Sequence, residues 1–223
     1  FSAGDAARAD ECVEIARQEL GLDKSVPEQY VSFIWDLVRL DLGDSFKTKE
    51  PVVDEITSRA WPSIELGLLQ IAVALTIALP IGVISAIRQD TWIDYLLRFL
   101  SIGLLGIPVF VMAILVIMLT TRYAEGTFLP DWLGPQGDYV GLFDDPVENL
   151  KSMTGPALVG GMGTGAIIMR FLRSQMLEVL RQDYVRTAWA KGLRERVIVT
   201  RHALKNALIP VLTLIGILTG AIV

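Results

Sequence analysis

The stretch that decides the fold is Leu66-Gly-Leu-Leu-Gln-Ile-Ala-Val-Ala-Leu-Thr-Ile-Ala-Leu-Pro-Ile-Gly-Val-Ile-Ser-Ala-Ile87, 22 residues without a charge between Glu65 and Arg88. A helix rising 1.5 Å per residue covers about 33 Å over that length, enough to cross the hydrocarbon core of a bilayer. Phe99 to Thr121 repeats the pattern over 23 residues between Arg98 and Arg122. Two runs of 18 follow, Ser152 to Met169 and Asn206 to Val223, at the short end of the spanning range. Four such runs in 223 residues are hard to hide in a water-soluble core. The expected fold is an all-α, polytopic membrane helix bundle.

Composition agrees. Hydrophobic residues make up 52% of the chain against 20% charged, and the mean hydropathy is +0.48. These values exclude a disordered, collagen-like or disulfide-scaffold chain and argue against a soluble enzyme. A net charge of −5 offers no cationic footprint for nucleic acid. Cys12 has no disulfide partner, and His202 has no second His or Cys with which to share a metal. No catalytic set and no metal site is expected.

Orientation follows from where Lys and Arg sit, because basic connections stay in the cytoplasm. From Arg170 to Lys205 there are nine basic residues against Glu178, Asp183 and Glu195. Residues 170–205 are therefore expected inside. The connection from Arg122 to Lys151 carries two basic residues and six acidic ones, which places 122–153 outside. By alternation 88–98 is inside and 1–63, with 13 acidic against seven basic residues, is outside. Trp61, Trp92, Tyr95 and Tyr123 lie beside run ends, where aromatic rings sit at headgroup level. An external start at Phe1 leads us to expect a preceding signal peptide or helix, and the run reaching Val223 a following one.

Residues 1–63 are thus an external, amphipathic helical segment and 64–223 the membrane domain. The spans fall at about 64–87, 99–121, 154–180 and 203–223, with a cytoplasmic loop at 181–202. In the external segment Cys12, Val13, Ala16 and Leu20 share a helical face that Gly21 ends. Ser25 is placed to cap a second helix with Pro27 in its first turn and with Tyr30, Phe33, Ile34, Leu37 and Leu40 on one face until Gly43. Gly134 to Asp145 reads as an external loop.

Gly161-Met-Gly-Thr-Gly165-Ala166 fits a dinucleotide-binding pattern by letter, but that pattern needs a preceding strand, and this one lies within a membrane-length run entered through Gly155-Pro156. Its physical content is a small-residue stripe. Ala157, Gly161 and Gly165 recur every four residues and let a neighbouring helix approach closely; Gly216 and Gly220 repeat the device in the last run. Pro80 and Pro108 each remove one backbone hydrogen bond and predict kinks.

Beyond Arg170 the third helix is expected to project into the cytoplasm, with Phe171, Leu172, Met176, Leu177, Val179 and Leu180 on an apolar face and Arg173, Glu178 and Arg181 toward water. Asp183 is placed to cap a short helix, Tyr184 to Lys191, ended by Gly192. Thr187, Ala188 and Ala190 give this helix little bulk on one side, while Tyr184, Val185 and Trp189 supply anchors on the other. That is the shape of a plug for a partner's groove.

The string Gln182-Asp-Tyr-Val-Arg-Thr-Ala-Trp-Ala-Lys-Gly-Leu193, followed by Arg201-His-Ala-Leu-Lys-Asn-Ala-Leu-Ile-Pro-Val211, resembles the cytoplasmic loop of bacterial ABC-importer permeases of the dipeptide/oligopeptide/nickel class. Leu20-Gly-Leu-Asp23, Asp41-Leu-Gly-Asp-Ser-Phe46, Pro80-Ile-Gly-Val83 and Gly106-Ile-Pro-Val-Phe110 agree with the same class. The external Asp-Leu-Gly-x-Ser segment resembles the first permease of the heterodimeric pair. The resemblance implies a six-helix permease of the bacterial cytoplasmic (inner) membrane, of which this chain would hold helices two to five. Its coupling helix, here Asp183, Tyr184, Val185, Arg186, Thr187, Ala188, Trp189, Ala190, Lys191 and Gly192, would dock on a cytoplasmic ATPase. On that reading Ala188 faces the groove wall and Gly192 ends the helix in a left-handed conformation.

The general importer loop reads Glu-Ala-Ala-x-x-x-Gly. This chain keeps Ala188 and Gly192 but has Arg186 at the Glu position and Thr187 at the first Ala, and Lys205 stands where the later motif has Pro. Those departures resemble the peptide subclass. The implied partners are a second homologous permease, two ABC ATPase subunits, an external solute-binding protein and the lipid bilayer, with no nucleic acid. The chain itself would bind no cofactor, ATP and Mg residing on the ATPases. Which residues bind substrate, and which substrate, the sequence does not say.

Two rivals differ in chemistry. An ion-coupled secondary transporter places ionisable residues within its spans, and the four uncharged runs contain none. An intramembrane enzyme needs a nucleophile-base or metal set at membrane depth, which runs without His or Cys do not supply.

The orientation makes a direct prediction. With Cys12→Ser as background, a cysteine at Gly137 is expected to react with an impermeant thiol reagent in intact cells, and one at Glu195 only after lysis. Labelling of 195 but not 137 in intact cells would invert the topology.

Overall fold

The computed structural model describes residues 17, 22, 24–123, 133–134, 137 and 139–222. The helix expected before Gly21, with Cys12, Val13, Ala16 and Leu20, lies outside them. The chain forms two compact units, residues 1–60 and 61–223, each described by itself.

In the first unit, α1 spans Val26–Val38. At its start the Ser25 N–H and hydroxyl both donate to the Glu28 carboxylate, at 3.0 and 2.8 Å. These bonds hold the Glu28 carboxyl below its ordinary pKa. Arg39 stacks over the Trp35 ring at 4.6 Å, and no residue of α1 is buried. The Asp41-Leu-Gly-Asp-Ser stretch folds into a turn. The Asp41 carboxylate accepts the Gly43 N–H at 3.0 Å, Gly43 sits at φ +68°, and its carbonyl accepts the N–H of Val52 at 2.9 Å. The Gly at this position therefore meets a left-handed backbone requirement. A single antiparallel bridge, Asp44 to Pro51, closes the loop.

Helix α2 runs Val52–Ile87. From Trp61 onward it belongs to the second unit, with α3 (Trp92–Gly106), α4 (Val109–Tyr123), α5 (Pro146–Leu180), α6 (Asp183–Ala190), a single turn α7 (Glu195–Val197) and α8 (Lys205–Ile222). Between α7 and α8 the backbone widens to a π-helix over Ile198–Leu204. Asp145 caps α5, its carboxylate accepting the Val147 and Glu148 N–H groups at 3.0 and 3.1 Å.

Among the described residues three helices are long and apolar enough to cross a membrane, or four if the bent α3–α4 pair is one span. Where the sequence predicts a kinked span at Pro108, the chain turns through 99°. Proline removes an N–H and drives the preceding residue out of the helical region. Ile107 is accordingly extended, at φ −95° and ψ 120°.

Helix α5, about 52 Å long at 1.5 Å per residue, is the post on which the others pack. Its buried side meets a stripe on α2, Ala74, Ala78, Gly82 and Ala86. Ile168, Met169, Leu172 and Met176 of α5 join Ala74, Ala78 and Ala86 and the buried Ala207 and Val211 of α8 in one core. The approach is close. A Cβ added at Gly161 would lie 2.7 Å from Val73 Cγ1 and 2.9 Å from the Gln70 carbonyl, and one at Gly165 3.2 Å from the Ala74 carbonyl.

These distances rank substitutions. Gly161→Ala is expected to destabilise the unit by about 1–3 kcal/mol through overpacking. Gly163→Ala, whose new methyl would find only Val109 at 3.9 Å, is expected to be neutral or slightly stabilising because Ala is the better helix former. Thermal unfolding of the two variants in detergent checks this, and equal melting points would refute the close approach.

Candidate functional site

The short helix after α5 is built by its neighbours in sequence. Helix α5 ends at Leu180, Gln182 is extended, and α6 begins at Asp183. Asp183 is the first helical residue and not the cap, which corrects the sequence expectation. Gln182 occupies the cap position, and the Asp183 carboxylate pairs with Arg186 Nη1 at 3.4 Å on the exposed surface. At the other end Gly192, at φ +75°, lets the Leu193 N–H reach back to the Ala188 carbonyl at 3.3 Å and its own N–H reach Trp189 at 2.9 Å. This is a glycine-terminated helix end in which the last carbonyls are satisfied.

The two faces of α6 have different destinations. Val185 and Ala188 are buried, at 0% and 5% exposure, against Ile198 and Leu180. Ala188 therefore packs within its own chain, not outward toward a partner as the resemblance suggests, because i and i+3 positions share the face that closes over the π-helical turn. Tyr184, Arg186, Thr187, Trp189, Ala190, Lys191 and Gly192 face out. Tyr184 is tied back, its hydroxyl accepting from Asn206 Nδ2 at 2.8 Å, while Trp189 is half exposed. His202 is partly buried, and its carbonyl accepts the Asn206 side-chain N–H at 2.8 Å.

Of the packing residues, Ala157, Gly161 and Gly165 are buried, with Gly161 and Gly165 against α2. Gly216 and Gly220 are not brought against another helix, since an added Cβ there meets nothing within 4 Å.

A second cluster escaped the sequence. The Asp94 side chain, fully buried at the start of α3, accepts Arg173 Nε at 2.8 Å and Nη2 at 2.7 Å. It also accepts the Ser85 hydroxyl of α2 and the Asp90 N–H at 3.1 Å. Arg98, stacked over Tyr95, stands 3.5 Å away. The sequence pattern puts Arg173 on the water-facing side of its helix, but its side chain is 16% exposed. The available signal was its phase: 169, 173 and 176 follow one helical face, so Arg173 falls between the buried Met169 and Met176. A charge on an apolar stripe requires a partner, and deleting one member of such a pair costs about 3–5 kcal/mol. Glu65, also buried, accepts the Tyr139 hydroxyl at 2.7 Å, and that bond raises the Tyr139 pKa. Glu65 directly precedes the first uncharged run, within the longer helix α2, and Asp94 lies in the short charged connection between the first two runs, at the start of α3.

Between α2, the α3–α4 bend and α5 lies a cavity of about 770 Å³. Its walls are mainly apolar, including Leu104, Ile107, Val116 and Val159, with one polar link where Gln70 Nε2 donates to Thr164 Oγ1 at 3.2 Å.

Residues 78–223, from the core stripe of α2 through α6 to α8, match the model of binding-protein-dependent transport system inner membrane components. The chain belongs to this family. It is 39% identical over 211 residues to a Brucella suis protein carrying a peptide-permease name, covering 93% of this chain and 64% of that protein. To a dipeptide transport system permease protein of Alkalihalophilus pseudofirmus it is 37% identical, covering 91% of this chain and 65% of that one. To a glutathione transport system permease protein of Pectobacterium atrosepticum it is 35% identical, covering 93% and 63%. The chain thus spans about two thirds of the length of these relatives. Membership in this inner-membrane family, together with the apolar helices, makes it a multi-pass membrane protein. The ion-coupled rival finds no support in any of these likenesses.

The seating of Ala188 yields a prediction. Ala188→Glu buries a carboxylate among Val185, Ile198 and Leu180, which is expected to cost at least ~2 kcal/mol and unseat α6. Trypsin should then cut at Arg186 and Lys191 several-fold faster than in Ala188→Ser. Equal cleavage rates would mean that α6 does not rest on its own chain.

Proposed function

We propose that this inner-membrane component is the permease subunit of an ATP-driven importer for peptides or related small solutes. In this reading the chain pairs with a second homologous permease, two cytoplasmic ABC ATPases and an external solute-binding protein, in the cytoplasmic membrane of a bacterium. It performs no bond chemistry and holds no cofactor; ATP and Mg act on the ATPases. Residues 1–63 and 122–153 are external and 88–98 and 170–205 cytoplasmic. The family description names binding-protein dependence, and relatives named for dipeptide and glutathione transport support a small peptidic solute.

The observation that carries the reading is α6. It is a glycine-terminated helix at the end of the long α5, seated on its own chain through Val185 and Ala188, with Trp189 and two cations, Arg186 and Lys191, turned outward. An exposed Trp amid cations is the type of anchor that dominates a docking surface. Only differential binding of ATP-bound and ATP-free ATPases can shift the bundle between its states, so α6 is the lever through which that difference is applied.

Trp189 is half exposed and lies outside the buried cluster that seats α6, so Trp189→Asp should leave the permease folded. The variant is expected to lose at least tenfold in ATPase subunits co-purified from detergent and in solute-stimulated hydrolysis. A complex with its full ATPase complement and parental rate would refute the assignment of α6.

A further inference from the structure

Helix α5 carries α6 at its end, and seven residues before that end it carries Arg173, about 10 Å back along the helix. Leu180, the last residue of α5, packs on Val185, Ala188 and Ile198, so a push on α6 is delivered to this end of α5. The seam above it is made of small residues, Gly82 lying against Leu172 and Gly165 against Ala74. Apolar contacts of this kind are non-directional, and neither they nor the neutral Gln70–Thr164 hydrogen bond at 3.2 Å strongly resists rotation of α5 about its axis.

The Asp94 cluster does. The guanidinium presents two parallel N–H groups to the two carboxylate oxygens, at 2.8 and 2.7 Å, a planar fork that fixes angle as well as distance. The carboxylate is in turn held by the Ser85 hydroxyl on α2 and the Asp90 N–H in the α2–α3 turn. Asp90 adopts φ +60° there, a left-handed conformation uncommon for a residue with a side chain. Arg173 Nε also lies 3.1 Å from Ser85 Oγ. One buried carboxylate thereby joins α2, its turn, α3 and α5.

We propose that Asp94 and Arg173 are positioning residues for coupled transport: their bidentate pair locks the α2–α3 turn to α5, so that displacement of α6 moves α2 and α3 as one body. The proposal rests on the reading of α6 as the ATPase-docking helix. Without the fork, α5 turns or slides on its small-residue seam and part of the displacement never reaches α2 and α3.

The test uses the complete transporter, with ATPases and binding protein, in proteoliposomes. Arg173→Lys keeps the buried carboxylate compensated but removes the fork; Asp94→Glu keeps both charges but lengthens the reach and serves equally if the first variant fails to assemble. Each is expected to hold its ATPases and hydrolyse ATP at the basal rate while moving at least threefold less solute per ATP. A parental ratio of solute to ATP would overturn the proposal by reducing the pair to a fold-holding contact. Loss of ATPase subunits would overturn it as well, by moving the effect to docking. Failure of the docking reading shows elsewhere, as an unchanged ATPase complement in Trp189→Asp, so the two ideas fall separately.

Discussion

The close approach of α2 and α5 is the constraint on which the rest of the second unit depends. In lipid there is no hydrophobic drive to bring helices together, so association relies on van der Waals contact at short range. Glycine and alanine on both helices permit it, with Gly161 against Val73 and Gln70, Gly165 against Ala74, and Gly82 against Leu172. Once α5 is seated this way, its buried stripe also reaches Ala207 and Val211 of α8, and Met169 comes within 2.8 Å of the Ser101 hydroxyl of α3.

The same approach creates a place where a buried ion pair is affordable. Asp94 and Arg173 stand 79 residues apart in sequence, yet both sit at the edge of the apolar core, where α3 begins and α5 leaves the region of small residues. A carboxylate with no solvent exposure needs its donors supplied by the fold. Here they come from two side chains and a backbone N–H. The seam, with its small residues and the Gln70–Thr164 bond, brings the helices close, and the cluster adds a charged, two-point contact at its edge.

At the end of α5 the chain divides its apolar residues between two uses. Val185 and Ala188 hold α6 on Ile198 and Leu180, while Trp189 is left outside at 50% exposure. The π-helical widening at Ile198–Leu204 accompanies this seating, since it lies directly before α8 and contributes Ile198 to the small cluster beneath α6. Without this seat only the Arg181–Gln182 link would join α6 to α5.

The sequence by itself determined the features that are local. Uncharged runs predict the apolar helices, the period of four marks the stripe at Ala157, Gly161 and Gly165, Ser25 with Glu28 marks a helix start, and Gly192 a helix stop. Such signals need only neighbours within one or two turns. The tertiary structure alone decided the partner of each face. The α2 stripe that receives Gly161 and Gly165 and the burial of Arg173 against Asp94 depend on residues distant in sequence, and the inward seat of Ala188 depends on Ile198 beyond the next turn. Charge counting places Asp94 and Arg173 with water because it assigns a charge by its distance along the chain from an apolar run. Pairing across space is what allows these charges to lie inside, and periodicity within one helix carries no information about which residue of another helix will meet them.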